Sequence, residues 1–139
     1  MIIGRFNDQG RPHVRGRLFI PRLDIDLDID FLLDTGADST CLHPGDLEYE
    51  IAQETIGRAV EATGVGGTSR YFEETGVVFF EDETALRSYV ISLYIAEPNE
   101  EIEHLPSVLG RDIINQWRMV YDPANDMLEF TVRTADATI

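Results

Sequence analysis

Along residues 23–31 the chain alternates without a break between apolar and acidic: Leu23, Ile25, Leu27, Ile29 and Phe31 are separated by Asp24, Asp26, Asp28 and Asp30. Only an extended strand puts every second side chain on one face; a helix would scatter the aspartates around its circumference. The stretch therefore predicts a strand with one buried apolar face and one solvated carboxylate face, and such a row of charge also discourages edge pairing with other chains. The first three aspartates have the opening spacing of an EF-hand calcium loop, but the sixth position is Ile29 where the sharp turn needs glycine. The twelfth is Thr35 where a bidentate glutamate is needed. A strand is the consistent reading.

The rest of the chain points the same way. Residues 14–20 predict a preceding strand, and apolar, β-rich runs recur at 77–80, 86–95, 118–121 and 127–132. Residues 122–126, Asp-Pro-Ala-Asn-Asp, predict a turn between the last two. Only two stretches have a helical pattern: a weak one within 45–54, and a short one opening near Asp112 and including Ile113, Ile114 and Trp117. With 139 residues, no internal repeat and no low-complexity linker, the expectation is a single, mainly β domain over residues 1–139.

The strand ends in Phe31-Leu32-Leu33-Asp34-Thr35-Gly36-Ala37-Asp38. An apolar strand followed by Asp-Thr-Gly plants a carboxylate at the floor of a cleft, with a hydroxyl beside it and a glycine that lets a second backbone come close. Alone, three turn residues after a strand are a weak signal. Two further segments raise it: Ser107-Val108-Leu109-Gly110-Arg111-Asp112-Ile113-Ile114 downstream, and Ala62-Thr63-Gly64-Val65-Gly66-Gly67-Thr68 between the two, flanked by strand-like residues. The latter lacks the lysine and following helix of a phosphate-binding loop.

In that order, the three segments resemble the active-site loop, the flap tip and the Gly-Arg helix of retroviral and retrotransposon aspartic proteases, the retropepsins. The resemblance implies a closed acid-protease barrel with one short helix in the C-terminal half. It implies catalytic roles for Asp34, Thr35 and Gly36, and substrate contacts from Ala37, Asp38, Gly64, Val65, Gly66 and Gly67. It also implies a buried or half-buried ion pair between Asp38 and Arg111 that ties the active-site loop to the helix. One departure stands out: retroviral proteases end soon after the Gly-Arg helix, whereas this chain continues through residues 119–139, so its dimer-forming termini are expected to be arranged differently.

Hydrolysis by this route needs two carboxylates sharing a water, and the chain has no second Asp-Thr-Gly or Asp-Ser-Gly. The second carboxylate must come from another copy, which implies a symmetric homodimer acting as an aspartic endopeptidase on a peptide or protein. A dimeric module that binds peptide strands without cutting them is the alternative. No cofactor and no metal is expected. Cys41 with His13, His43 or His104 lacks the context of a cysteine protease, and Cys41 with His43 offers too few ligands for a metal. With 26 acidic residues against 11 basic ones and a formal charge of -15, the surface repels phosphate backbones and anionic membranes. Neither nucleic acid nor membrane is an expected partner. One cysteine and no basic-then-apolar leader lead to an expected cytoplasmic location.

Overall fold

The computed structural model of the chain describes residues 1–46, 59–64, 67–98 and 104–139, with side chains described for 1–46, 70–98 and 104–139. Strands dominate. They are β1 (Ile2–Ile3), β2 (Arg5–Phe6), β3 (Pro12–Ile20), β4 (Ile25–Leu33), β5 (Cys41–Leu42), β6 (Ala59–Gly64), β7 (Gly67–Glu81), β8 (Leu86–Ala96), β9 (Val108–Leu109), β10 (Trp117–Asp122), β11 (Met127–Val132) and β12 (Ala137–Thr138). One α-helix, α1 (Arg111–Ile114), occurs among the described residues.

Six strands close into a barrel. β3 pairs antiparallel with β4 and β7, β7 antiparallel with β8, and β8 parallel with β5. β5 meets β9 at Cys41 and Val108, and β9 runs parallel to the end of β4 through Leu32–Val108 and Leu33–Leu109, which completes the ring. Inside it, every second residue of β4 is buried, from Ile25 through Leu27, Ile29 and Phe31 to Leu33, while Asp26 and Asp28 are exposed. Burial of each such side chain stabilises the fold by roughly 1.5–3 kcal/mol before conformational entropy is counted.

One expectation about this strand changes. It starts at Ile25, because Pro21–Leu23 form a 3-10 turn and Asp24 takes a left-handed φ of 52°, a conformation aspartate tolerates better than most residues. Along residues 25–31 one edge of the strand pairs with β3, while β9 joins the other edge only at Leu32 and Leu33, and Asp26 and Asp28 line the outside of the barrel wall. There Arg17 holds the Asp26 carboxylate with two hydrogen bonds, at 2.7 and 2.8 Å.

A second sheet, in the order β1-β11-β10, lies outside the ring. An aromatic cluster joins the two. The Trp117 ring packs edge-on against Phe80 at 4.9 Å and tilted against Phe130 at 4.9 Å. The Trp117 indole N–H donates to the Tyr89 hydroxyl (2.7 Å), which donates to the Thr134 carbonyl (2.9 Å). This cluster also explains a correction to the expected helix. The helix ends at Ile114, and Trp117 is the first residue of β10, where its indole reaches the barrel core. Of the weak helical stretch at 45–54, Pro44–Asp46 form one 3-10 turn and residues 47–54 lie outside the described residues.

Candidate active site

Asp34 follows the last residue of β4, half-buried at the barrel rim. Its N–H donates to the Leu109 carbonyl at 3.0 Å, so the short parallel β4–β9 pair fixes the backbone that carries the carboxylate. The loop then turns tightly: Gly36 N–H donates to Asp34 Oδ1 at 2.9 Å and Ala37 N–H to the Asp34 carbonyl at 3.2 Å. A Cβ at Gly36 would sit 3.2 Å from that same carboxylate oxygen. Glycine here leaves Asp34 room to keep its backbone hydrogen bond.

The Gly-Arg segment buttresses this loop from behind. A Cβ on Gly110 would lie 2.5 Å from the Ser39 carbonyl carbon and 2.7 Å from its oxygen. Those are backbone atoms that cannot swing away, so this close approach requires glycine. Arg111 N–H donates to the Ala37 carbonyl and its Nη1 to the Thr35 carbonyl, both at 2.8 Å, and its Nη2 meets the Asp38 carboxylate. The Asp38–Arg111 pair lies at the surface of the single chain, with the Asp38 side chain 87% exposed and that of Arg111 39%. Arg111 therefore grips the loop mainly through carbonyls, and the charge pair is solvated rather than half-buried.

The buried tie between the two segments is a different one. Thr40 has no exposed surface; its N–H donates to Asp112 Oδ2 (2.9 Å), its hydroxyl to Asp112 Oδ1 (2.8 Å), and the hydroxyl oxygen accepts the Gly110 N–H (3.2 Å). Sequence reasoning missed both residues. Asp112 in the first turn of a helix is ordinarily a partner for that helix's own amides, and nothing local connects it to a threonine 72 positions away.

The glycine-rich segment lies at the end of a hairpin. β6 and β7 pair from Ala59–Phe72 to Gly64–Gly67, while β8 accompanies β7 only as far as Tyr71–Ala96, so the hairpin projects beyond the barrel wall. Gly64 and Gly67 are its last paired residues; Val65 and Gly66 lie outside the described residues. At its base Tyr71 contacts the buried His43. The His43 Nδ1 faces the Pro106 carbonyl at 2.7 Å and must donate, which leaves Nε2 to accept the Tyr71 hydroxyl proton at 3.3 Å. Burial holds the His43 pKa below its ordinary value, against opposing effects of the Pro106 carbonyl and Asp46.

The cysteine is chemically quiet. Burial, reinforced by the negative charges of Asp112 and Asp34, pushes the Cys41 thiol up to about 12, and its Sγ points at the Ser39 carbonyl (3.5 Å). His43 has both ring nitrogens engaged, and so has His13, with Asn7 and the Asp30 carbonyl. His104 is exposed. A thiolate nucleophile has no support here.

The model of one protein family, described as retroviral aspartyl protease, matches residues 9–121. Among solved structures, EIAV protease complexed with the inhibitor HBY-793 is similar at 28% identity, with a TM-score of 0.45 over 79% of this chain and 90% of that one. A search of curated proteins finds no match.

Proposed function

The chain belongs to the retroviral aspartyl protease family, and on that premise we propose that it is an aspartic endopeptidase acting as a symmetric homodimer, each copy contributing one Asp34. The observation that carries this reading is a single Asp-Thr-Gly carboxylate at the barrel rim, braced through its backbone by Leu109 and through Oδ1 by Gly36. Two such carboxylates facing across a two-fold axis cannot both ionise cheaply, so the pair retains one proton, as is known for aspartic proteases in general. The ionised member takes a proton from the shared water as it attacks the peptide carbonyl. The protonated member hydrogen-bonds to the carbonyl oxygen, and the nitrogen is protonated as the C–N bond breaks.

In this reading, the Thr35 hydroxyl reaches the loop of the other copy, Ala37 and Asp38 contact the peptide, and the projecting β6–β7 hairpin, with Gly64, Val65, Gly66 and Gly67, covers it. Its substrate is an extended peptide or protein segment. The test is cleavage of a peptide library at several pH values by the wild type and by Asp34→Asn. Sequence-selective cleavage that disappears in Asp34→Asn supports the proposal. Equal cleavage by both proteins would overturn it, and peptide binding without cleavage by the wild type would assign the idle-module function instead.

A further inference from the structure

We propose that His43 is a positioning residue for the reaction: through Tyr71 it anchors the root of the β6–β7 hairpin to the segment that holds Asp34 in place. The inference rests on the reading of that hairpin as the substrate cover, and adds what fixes its position over the carboxylate.

The hairpin needs an anchor because little else holds its root. Tyr71 faces Ala96, the last residue of β8, and the next tie to the barrel is one backbone bond, from the Glu97 N–H to the Arg70 carbonyl (2.9 Å). Arg70 also lies 3.8 Å from the Glu97 carboxylate, but its side chain is exposed, and such a pair contributes little. From that point outward β7 has β6 as its only strand neighbour among the described residues. Two strands alone are marginally stable, so the angle of the hairpin to the barrel is set at Tyr71.

His43 meets Tyr71 at this root. It follows the end of β5 and is 5% exposed. Its Nδ1 donates to the Pro106 carbonyl (2.7 Å) and its Nε2 accepts the Tyr71 hydroxyl proton (3.3 Å), with the two rings edge to face. Only a neutral imidazole donates on one side and accepts on the other. Burial favours that state, since it lowers the His43 pKa and raises that of Tyr71.

The backbone of His43 leads the other way, to the catalytic loop. Its N–H donates to Ser107 Oγ (2.9 Å), and the Ser107 carbonyl accepts the Leu32 N–H (2.9 Å). Asp46 closes the connection: its Oδ2 accepts the Ser107 N–H (3.0 Å), and its own N–H donates to the His43 carbonyl (3.1 Å). Ser107 has no exposed surface, and two residues further on the Leu109 carbonyl holds the Asp34 N–H (3.0 Å). A continuous chain of hydrogen bonds thus runs from the hairpin root through His43 and Ser107 to the β4–β9 pair that carries Asp34. A histidine serving the core alone would need partners for its ring nitrogens. It would not need one partner on the cover and another on the support of the carboxylate, the two parts that catalysis must align. A misplacement of about 1 Å between such parts can lower a rate about 100-fold.

Tyr71→Phe, His43→Gln and His43→Leu should be compared with the wild type in backbone hydrogen exchange and in steady-state cleavage of one peptide. Each is first confirmed as folded by its melting curve and matched to the wild type in association state by sedimentation. Tyr71→Phe keeps the ring and removes the hydroxyl. It should speed exchange of the amides of residues 59–64 and 67–70 by about tenfold or more and leave β3 and β4 unchanged. It should also lower kcat by about fivefold or more with KM within about twofold. His43→Gln, whose amide can donate to Pro106 and accept from Tyr71, should stay within about threefold of the wild type in both readouts, whereas His43→Leu should match Tyr71→Phe. If His43→Leu does not fold, the other two variants decide. Exchange and kinetics of wild-type character in Tyr71→Phe, or a loss in His43→Gln as large as that in Tyr71→Phe, would overturn the proposal. If the wild type binds peptide without cutting it, the proposed function fails but the anchor is still decided: faster hairpin exchange with weaker peptide binding in Tyr71→Phe supports it, and unchanged exchange overturns it.

Discussion

Replacing Asp112 should destabilise the chain more than replacing Arg111, although sequence resemblance gives prominence to the arginine. Asp112 accepts hydrogen bonds from the N–H and the hydroxyl of Thr40, a residue with no exposed surface. Hydrogen bonds to a charged group contribute about 1.5–3 kcal/mol each, and stranding a buried donor costs about 1–3 kcal/mol. After allowance for the aspartate's own desolvation, we expect Asp112→Ala to cost about 3 kcal/mol, or roughly 10 °C in melting temperature for a chain of this length. Arg111→Ala breaks an ion pair whose aspartate is 87% exposed, and such pairs contribute less than about 1 kcal/mol. Its lost carbonyl contact at Thr35 involves an exposed loop residue. The assay is urea and thermal unfolding of both variants at a chain concentration dilute enough for the monomer, with Thr40→Val completing a double-mutant cycle against Asp112→Ala. The effects at Thr40 and Asp112 should be far from additive, because either change breaks the same contact. Arg111→Ala proving the more damaging, or additive effects at Thr40 and Asp112, would refute the reasoning.

Burial lowers the His43 pKa, so the unfolded chain binds more protons there as the pH drops below the ordinary value of 6.5. Its contribution to stability is therefore complete above that value and lost as the pH falls toward the folded pKa; His43→Gln should show a smaller drop in melting temperature between about pH 7.5 and pH 5.5 than the wild type. With its thiol pushed up to about 12, Cys41 should resist iodoacetamide at about pH 8 in the folded protein, and Cys41→Ala should retain kcat/KM within about twofold. Gly67→Val, at the last described pair of the projecting hairpin, should lower kcat by about tenfold or more while shifting the melting temperature by no more than about 2 °C. Full activity in that folded variant would remove the hairpin from the catalytic account.

What was legible in the sequence follows the range of the interactions involved. β11 has the expected bounds at Met127–Val132 because its apolar alternation and the preceding Asp-Pro turn are both local signals. The turn that carries Asp34 is legible because a strand running into Asp-Thr-Gly is a local signal, strengthened by the Gly-Arg segment downstream. Trp117 was misplaced because helix and strand both accept a tryptophan next to apolar residues, and only packing against Phe80, Tyr89 and Phe130 decides between them. The parallel β4–β9 pair and the Thr40–Asp112 contact join residues more than 70 positions apart, and no local pattern announces such partners. The aspartate row is legible as a solvated face because strict alternation is a local signal, with Asp26 and Asp28 exposed between buried Ile25, Leu27 and Ile29.

The central claim is that two copies of Asp34 act as one catalytic unit, and mixing subunits tests it most directly. Wild type and Asp34→Asn are combined in equal amounts at constant total concentration, allowed to exchange, and assayed on one peptide. If each active unit needs Asp34 from both copies, only wild-type pairs cleave, and activity should fall to about one quarter of that of wild type alone at the same total concentration. Activity at about one half, the value for copies that work independently, would contradict the account.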